Sequence, residues 1–287
     1  LRDGLADTLD FAVQRQEITI RNVSYSGVLG NNVGYIRLER FSRGASSEVR
    51  EALENIRYQN NLQGVILDLR DNPGGLLDAA VSISEIFVPT NSLIVSTRGK
   101  MVDSEKRYVS RNSPMEPNLP LAVLINGRSA SASEIVAGAI QDLDRGILVG
   151  EQSFGKGLVQ TITSLPFNGN LKITTARYYT PSGRCIQKID YNKRREGIFT
   201  QTSDSLRRYM TIHGRPVYES NGIQPDTLVS ESKSSQFVAE LIEKNMLFNF
   251  ATEFSAKQKT LPVDFTVSKD VLRQFEDYLK RKRFSYG

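Results

Sequence analysis

Apolar residues recur along this chain with two spacings that take turns between positions 33 and 149. Val33–Leu38 (VGYIRL) reads as a strand, while residues 64–69 (GVILDL) and Leu121–Ile125 are short continuous apolar runs, as expected of strands buried on both faces. Between these runs the spacing changes to three and four. Val49, Leu53 and Ile56 share one helical face over residues 45–58, with Ser46 or Ser47 as a start signal. Ala79, Ala80, Ile83 and Phe87 do the same over 76–87, and Ile135, Val136, Ala139, Ile140 and Leu143 over 133–143. Short strands are expected at 93–96 and 147–149, and residues 99–120 are polar and patternless, as in a loop. Strand and helix in alternation predict βαβ crossovers and a largely parallel sheet with helices packed on it.

The pattern differs at both ends. Residues 9–20 alternate loosely and predict a strand. Residues 157–164 and 171–179 are strand-like runs around Asn168-Gly169, a strong hairpin signal. Residues 190–220 are polar with weak periodicity. Beyond Ser235 the character is helical: Phe237, Val238, Leu241 and Ile242 form one stripe, and Val271, Leu272, Phe275 and Leu279 another behind a candidate N-cap, Ser268.

Composition narrows the chemistry. The 287 residues are 39% hydrophobic and 24% charged, enough apolar material for a core, and no run approaches the about 18 residues that a membrane span needs. With one cysteine (Cys185) and one histidine (His213), an internal disulfide, Cys-rich zinc sites and His-pair metal sites are excluded, and no cofactor is expected. The net charge of +5 is spread along the chain, which argues against a nucleic-acid footprint. The one dense basic run, Lys280 to Arg283, suits the C-terminal end of a helix. The sequence opens at Leu1 with neither an initiator methionine nor a charged-then-apolar leader, and reads as a fragment or mature form.

Three segments carry candidate chemistry. In Arg128-Ser129-Ala130-Ser131-Ala132-Ser133-Glu134, small residues allow a sharp strand-to-helix bend that exposes a serine at a helix N-terminus, where amides favour an oxyanion. The plainer alternative is a capping box, Ser131-x-x-Glu134. A serine nucleophile needs a base. His213 lies in a polar, loop-like stretch and reads as a surface residue, whereas Lys156 lies between two glycines at the mouth of a strand. Continued at period two, Lys156, Leu158, Gln160 and Ile162 share a face. An amine beside Leu158 and Ile162 would lose solvation, which favours its neutral form, and Gln160 would hold it without adding charge. An ordinary edge-strand lysine is the alternative. In Asp71-Asn72-Pro73-Gly74-Gly75, the amide of Gly74 or Gly75 could donate to a tetrahedral oxyanion together with that of Ala132, or the segment could be a plain capping turn.

In combination these segments resemble the C-terminal processing peptidases (tail-specific proteases), Ser-Lys serine endopeptidases. GVILDLRDNPGGLL (64–77), NGRSASASEIVAGAIQD (126–142) and VGEQSFGKGLVQ (149–160) occur in the family's order, followed by ARYYTPSGRCIQ (176–187) and NGIQPD (221–226). The resemblance covers roughly residues 30 to 230 and is specific, since Lys156 stands 25 positions after Ser131. It implies Ser131 as nucleophile, Lys156 as general base and Gln160 as the residue orienting the lysine. It also implies a crotonase-like αβα core; with the patterns above, the expected fold is that core with a mostly parallel sheet, a hairpin-containing extension and, outside the family's minimal core, a helical C-terminal tail. The expected division is a PDZ remnant over 1–16, closing with a strand near 9–13, a peptidase core over 17–232 and a helical extension over 233–287. A polypeptide substrate and a periplasmic or cell-envelope location are further implications. A binding scaffold on the same fold, or a crotonase-like acyl-thioester enzyme, are the competing readings; for the latter no carboxylate pair is found.

Overall fold

The computed structural model describes residues 8, 10–18, 20–59, 61–100, 104–195, 198–201, 207–219, 221–230, 235–258, 260–262 and 265–284. The chain divides into two compact units, Thr19–Glu231 and a second that contains Ser232–Gly287.

Within the first unit the main sheet is built from β1 (Val23–Leu29), β2 (Val33–Leu38), β3 (Gly64–Asp68), β6 (Leu121–Ile125), β7 (Ile147–Gly150) and β14 (Thr227–Leu228), in the order β1-β2-β3-β6-β7-β14. β1 runs antiparallel to β2, and every other neighbouring pair is parallel. The crossovers carry α1 (Ala45–Gln59), α2 (Leu77–Ser84) and α3 (Ala132–Asp142). Their apolar stripes are in the core as the spacing predicts: Val49 and Leu53 of α1, Ala80 and Ile83 of α2, and Val136 and Ile140 of α3 are buried. All eleven residues of α3 are buried, so this helix is held from every side rather than along one stripe.

A second sheet, antiparallel throughout, has the order β5-β4-β9-β8, from β4 (Leu93–Gly99), β5 (Lys106–Val109), β8 (Leu158–Ser164) and β9 (Asn170–Tyr179). The β8–β9 turn falls at Asn168-Gly169 as expected, with Phe167 and Asn168 at φ 58° and 57°. Because β4 pairs only with residues 176–179, the rest of this hairpin extends as a two-stranded ribbon, exposed along both strands. Two shorter ribbons follow, β10 (Ile189–Arg195) with β11 (Ile198–Gln201), and β12 (Arg207–Met210) with β13 (Pro216–Glu219).

Several expectations are corrected. No strand forms in the described part of residues 9–20, including the region assigned to a closing PDZ strand: Phe11, Val13 and Ile18 are 76–86% exposed and no neighbouring strand pairs with them. Residues 99–120 are not simply a loop, since Lys106–Val109 pairs with β4. The polar stretch 190–220 holds short ribbon strands whose sequence is mostly polar and leaves no clear alternation to read.

The second unit contains α4 (Gln236–Glu243), α5 (Met246–Ala256) and α6 (Lys269–Arg281). Ser235 and Ser268 cap α4 and α6, accepting from the amides of Val238 and Val271 at 3.3 Å. Phe250 of α5 packs on Phe275 and Tyr278 of α6 with ring centroids 5.0 and 5.6 Å apart. The basic run at the end of α6 is paired within the unit: Lys280 with Asp277 at 3.0 Å and Arg281 with Glu253 at 2.9 Å. Among the described residues no helix is long and apolar enough to cross a membrane, and no cluster of three metal-ligating side chains forms.

Candidate active site

The three candidate segments leave the carboxyl ends of three neighbouring strands. β3 runs into the glycine turn, β6 into the serine turn and β7 into the segment that carries Lys156. Parallel neighbours put such exits side by side, which is where open α/β sheets place their sites.

The serine turn is fixed by its outer serines. Ser129 Oγ donates to the Leu69 carbonyl at 2.8 Å and accepts from the Asn126 amide at 2.9 Å; Ser133 Oγ donates to the Asn72 carbonyl at 2.9 Å. Both hydroxyls serve the backbone. Ser131 stands between them at φ 56°, ψ −110°, as N-cap of α3. This is a costly backbone conformation for a residue with a Cβ, of the kind that clusters at active sites. It takes the Ser131 backbone off the helical path. The Ser131 side chain neighbours the hydroxyl of Tyr178 from β9. Burial raises the Tyr178 phenol above its ordinary value, the nearby Tyr108 adds to the rise, and the neighbouring Ser131 hydroxyl draws it partly back.

Glu134 does more than complete a cap. Its carboxylate is fully buried and accepts four hydrogen bonds. Oε2 takes the amide of Ser131 at 2.7 Å and that of Lys156 at 2.9 Å, and Oε1 takes Ser153 Oγ at 2.6 Å and the Gly155 amide at 2.7 Å. The capping expectation is therefore met on the glutamate side, while the same group also ties the lysine segment to the serine turn. Burial pushes the Glu134 carboxyl up, and the four donors oppose that rise.

The glycine turn is held by Asn72, whose Nδ2 donates to the Leu38 carbonyl at 2.7 Å and whose carbonyl accepts from the Ala130 amide at 3.0 Å. Gly74 has φ +92°, and a Cβ there would lie 2.5 Å from the Ala130 carbonyl and 2.7 Å from the Ala132 amide nitrogen. Backbone thus touches backbone across the two turns. Gly74 and Gly75 are distinguished by their amides. That of Gly74 donates to Asn72 Oδ1 at 2.9 Å, whereas among the described residues those of Gly75 and Ala132 donate to no protein acceptor. The geometry therefore favours Gly75 with Ala132 as an oxyanion pair and disfavours Gly74.

Lys156 is half-buried, ahead of β8 rather than within it. It lines a cavity of about 380 Å³ together with Phe154, Leu158, Gln160 and Gln187. The apolar shell expected from the strand face is incomplete: Ile162 is 66% exposed, and Gln160 is exposed too. The physical reason is that β8 lies in the projecting ribbon, and a register shift between Val159 and Gln160 interrupts the alternation. Gln187, overlooked in the sequence, is buried against the same segment.

His213 belongs elsewhere. Its Nδ1 lies 3.2 Å from Asp144, just past the C-terminal end of α3, while Ser131 begins that helix. Eleven helical residues at about 1.5 Å each put the two ends roughly 16 Å apart. A Ser-His pair is ruled out. Cys185 is a buried free thiol whose ionisation is pushed up by burial.

Over residues 32–194 the chain matches Peptidase family S41, and over 237–287 the C-terminal helical domain of probable PDZ-proteases. It is 45% identical over 191 residues to a carboxy-terminal-processing protease of Bartonella bacilliformis, covering 66% of this chain and 43% of that protein. It is 42% identical over 183 residues to a carboxyl-terminal-processing protease of a Synechocystis species, covering 63% and 42%. The chain thus spans less than half the length of these relatives. Its fold is similar to the solved photosystem II D1 C-terminal processing protease, with a TM-score of 0.56 and 28% identity over 75% of this chain and 50% of that one.

Proposed function

This chain belongs to peptidase family S41, and from that premise we propose that it supplies the catalytic part of a serine endopeptidase acting on polypeptides, with cleavage near their C-termini. Ser131 is the nucleophile and Lys156 the general base. The observation that carries the reading is the shared acceptor, Glu134 Oε2, which brings the serine turn and the lysine segment together. Support also comes from the two outer serines, whose hydroxyls are committed to backbone carbonyls.

In the proposed reaction the peptide lies extended along the free edge of β8, adding a strand. The neutral Lys156 amine takes the Ser131 proton as Oγ bonds to the scissile carbonyl carbon. The amides of Gly75 and Ala132 hold the resulting oxyanion. As the C–N bond breaks, the Lys156 ammonium gives its proton to the leaving amine, and a water then hydrolyses the acyl-enzyme by the same route. Gln160, on the rim of the cavity, orients the amine.

The crotonase-like description of the core, the division into a peptidase core over 17–232 and an extension over 233–287, and a periplasmic or envelope location belong to the same proposal. They rest on the family resemblance, with the separately matched helical segment as support for the division.

Ser131→Ala and Lys156→Ala are each expected to lower peptide cleavage at least about a thousandfold while leaving the fold intact. More than roughly a tenth of wild-type activity in either would overturn the assignment. Labelling by a fluorophosphonate at Ser131 separates the enzyme from a scaffold, and acyl-CoA turnover without peptide cleavage would favour the thioester chemistry instead.

A further inference from the structure

The cavity lined by Lys156 has a size that suits a bound side chain, and its lining comes from two segments. Phe154, Lys156, Leu158 and Gln160 belong to the run into and along β8, and Gln187 and Lys188 to the stretch after β9. The segments are fastened to each other: the Lys188 amide donates to the Gly155 carbonyl at 2.9 Å, and Gln187 Oε1 accepts from the Gly157 amide at 2.7 Å. At Gly155, φ is +87° and a Cβ would lie 2.7 Å from Lys188 Cβ, so glycine permits the approach. A second cavity, of about 440 Å³, is lined by residues at the amino ends of β2, β3, β6 and β7, the opposite end of the sheet from the three candidate turns.

Most of the lining of the Lys156 cavity is apolar, and Phe154 leaves 53% of its surface open. That exposure is not the mark of a loose loop. The Phe154 amide donates to the Ser129 carbonyl of the serine turn at 3.0 Å, and the next two amides are held by Glu134. An apolar wall is thus fixed beside both proposed catalytic residues. In the proposed reaction Lys156 protonates the leaving nitrogen, which needs about 2.6–3.2 Å between them. The Cα of the residue that owns this nitrogen is only about 1.5 Å further on. The side chain brought to the Lys156 cavity is therefore the one immediately after the scissile bond.

Side-chain classes fare differently there. A carboxylate would favour the ammonium form of Lys156, which cannot take the Ser131 proton. A cationic side chain would meet the like charge of Lys188. An apolar side chain covers Phe154 and Leu158, adds no charge and expels water from around the amine. Lys156 is only half-buried and Ile162 stays exposed, so the chain by itself leaves that shell open.

We propose that this cavity is the subsite for the residue immediately after the scissile bond, that Phe154 and Leu158 make it select an aliphatic or aromatic side chain, and that the bound side chain closes the apolar shell around Lys156. The inference rests on the reading of Lys156 as the base.

The test digests a library of randomised, unstructured peptides with free C-termini, using the full chain, and reads the residues flanking each cleaved bond by mass spectrometry. Leu, Ile, Val, Met and Phe are expected to be enriched at least about threefold after the bond, with Asp and Glu depleted by a similar factor. Phe154→Ala should remove most of that enrichment and leave the profile before the bond as in wild type. Leu158→Ala should act in the same sense, and it decides the matter if Phe154→Ala does not fold. Enrichment confined to the residue before the bond, or an unchanged following profile in the folded variants, would overturn the subsite while the peptidase reading stands. No cleavage by the wild-type chain, or wild-type cleavage by Lys156→Ala, would overturn that reading and this inference with it.

Discussion

Ser131 and Lys156 donate their backbone amides to one and the same oxygen, Glu134 Oε2. The two amide nitrogens are therefore no further apart than the sum of the 2.7 and 2.9 Å bonds. Residues 25 positions apart in sequence are brought together by a side chain that belongs to neither of their roles. Four consequences of this architecture can be measured.

Glu134→Gln preserves size but replaces one acceptor by a donor. An amide cannot accept from all of Ser131, Gly155, Ser153 and Lys156, so at least one buried N–H is stranded in either orientation. A stranded buried donor costs about 1–3 kcal/mol. Urea unfolding should show a loss of that size, and fluorophosphonate labelling of the folded protein should slow as the two segments lose their common anchor. An unchanged urea midpoint would mean that the four bonds are not under strain to be kept.

Gly74→Ala meets backbone on two sides, the Ala130 carbonyl and the Ala132 amide, at a φ that side chains avoid. Neither neighbour can swing away as a side-chain tip would. The expected destabilisation is about 3 kcal/mol, visible as a lowered Tm, with labelling impaired even below the transition because the Ala132 amide is displaced.

Tyr178→Phe removes only a hydroxyl, the one that neighbours the Ser131 side chain. Its backbone amide also donates to the Gly157 carbonyl at 2.8 Å, and this bond persists in the variant. Stability should change by no more than about 1 kcal/mol. Labelling at Ser131 should slow by up to roughly tenfold, because the serine hydroxyl loses a polar neighbour.

Asp68 predicts how stability depends on pH. Burial alone would raise its carboxyl, but the Arg70 guanidinium at 2.6 Å and the Tyr35 hydroxyl at 2.5 Å are bonded to it and hold it below the ordinary 3.8. A lowered folded-state value means that the unfolded chain binds the proton more readily. This contribution is complete above about pH 4–5 and is lost as pH falls through the folded-state value. Urea midpoints should therefore decline on acidification below that window, and Asp68→Asn should flatten the decline while lowering stability at neutral pH.

The parts of this picture legible in the sequence are those where burial imposes a period. The crossover helices and the strands at 64–68 and 121–125 lie in a core that both demands and reveals apolar spacing. The serine turn could be read as small residues between a strand and a helix. What the sequence concealed comes from contacts between distant segments. Glu134 looked like a local cap because one of its bonds is local; its bonds to residues 153–156 depend on β7 lying next to β6. Gln187 and Tyr178 carry no local signal, since each is bonded to Gly157 only because its segment folds back against the lysine loop. The dry pocket expected from Leu158 and Ile162 failed because strand alternation does not say whether a strand has anything packed on its face.

Ser131 rides on a helix of the parallel sheet, and Lys156 on the lead-in to the antiparallel one. If these two residues act as proposed, competence is a property of the seam between the two sheets. A perturbation that slides the sheets apart by about an ångström is then expected to slow fluorophosphonate labelling while every strand stays paired, so circular dichroism would report an intact protein. Inhibitors that wedge the seam, rather than fill the substrate groove, would act by that route.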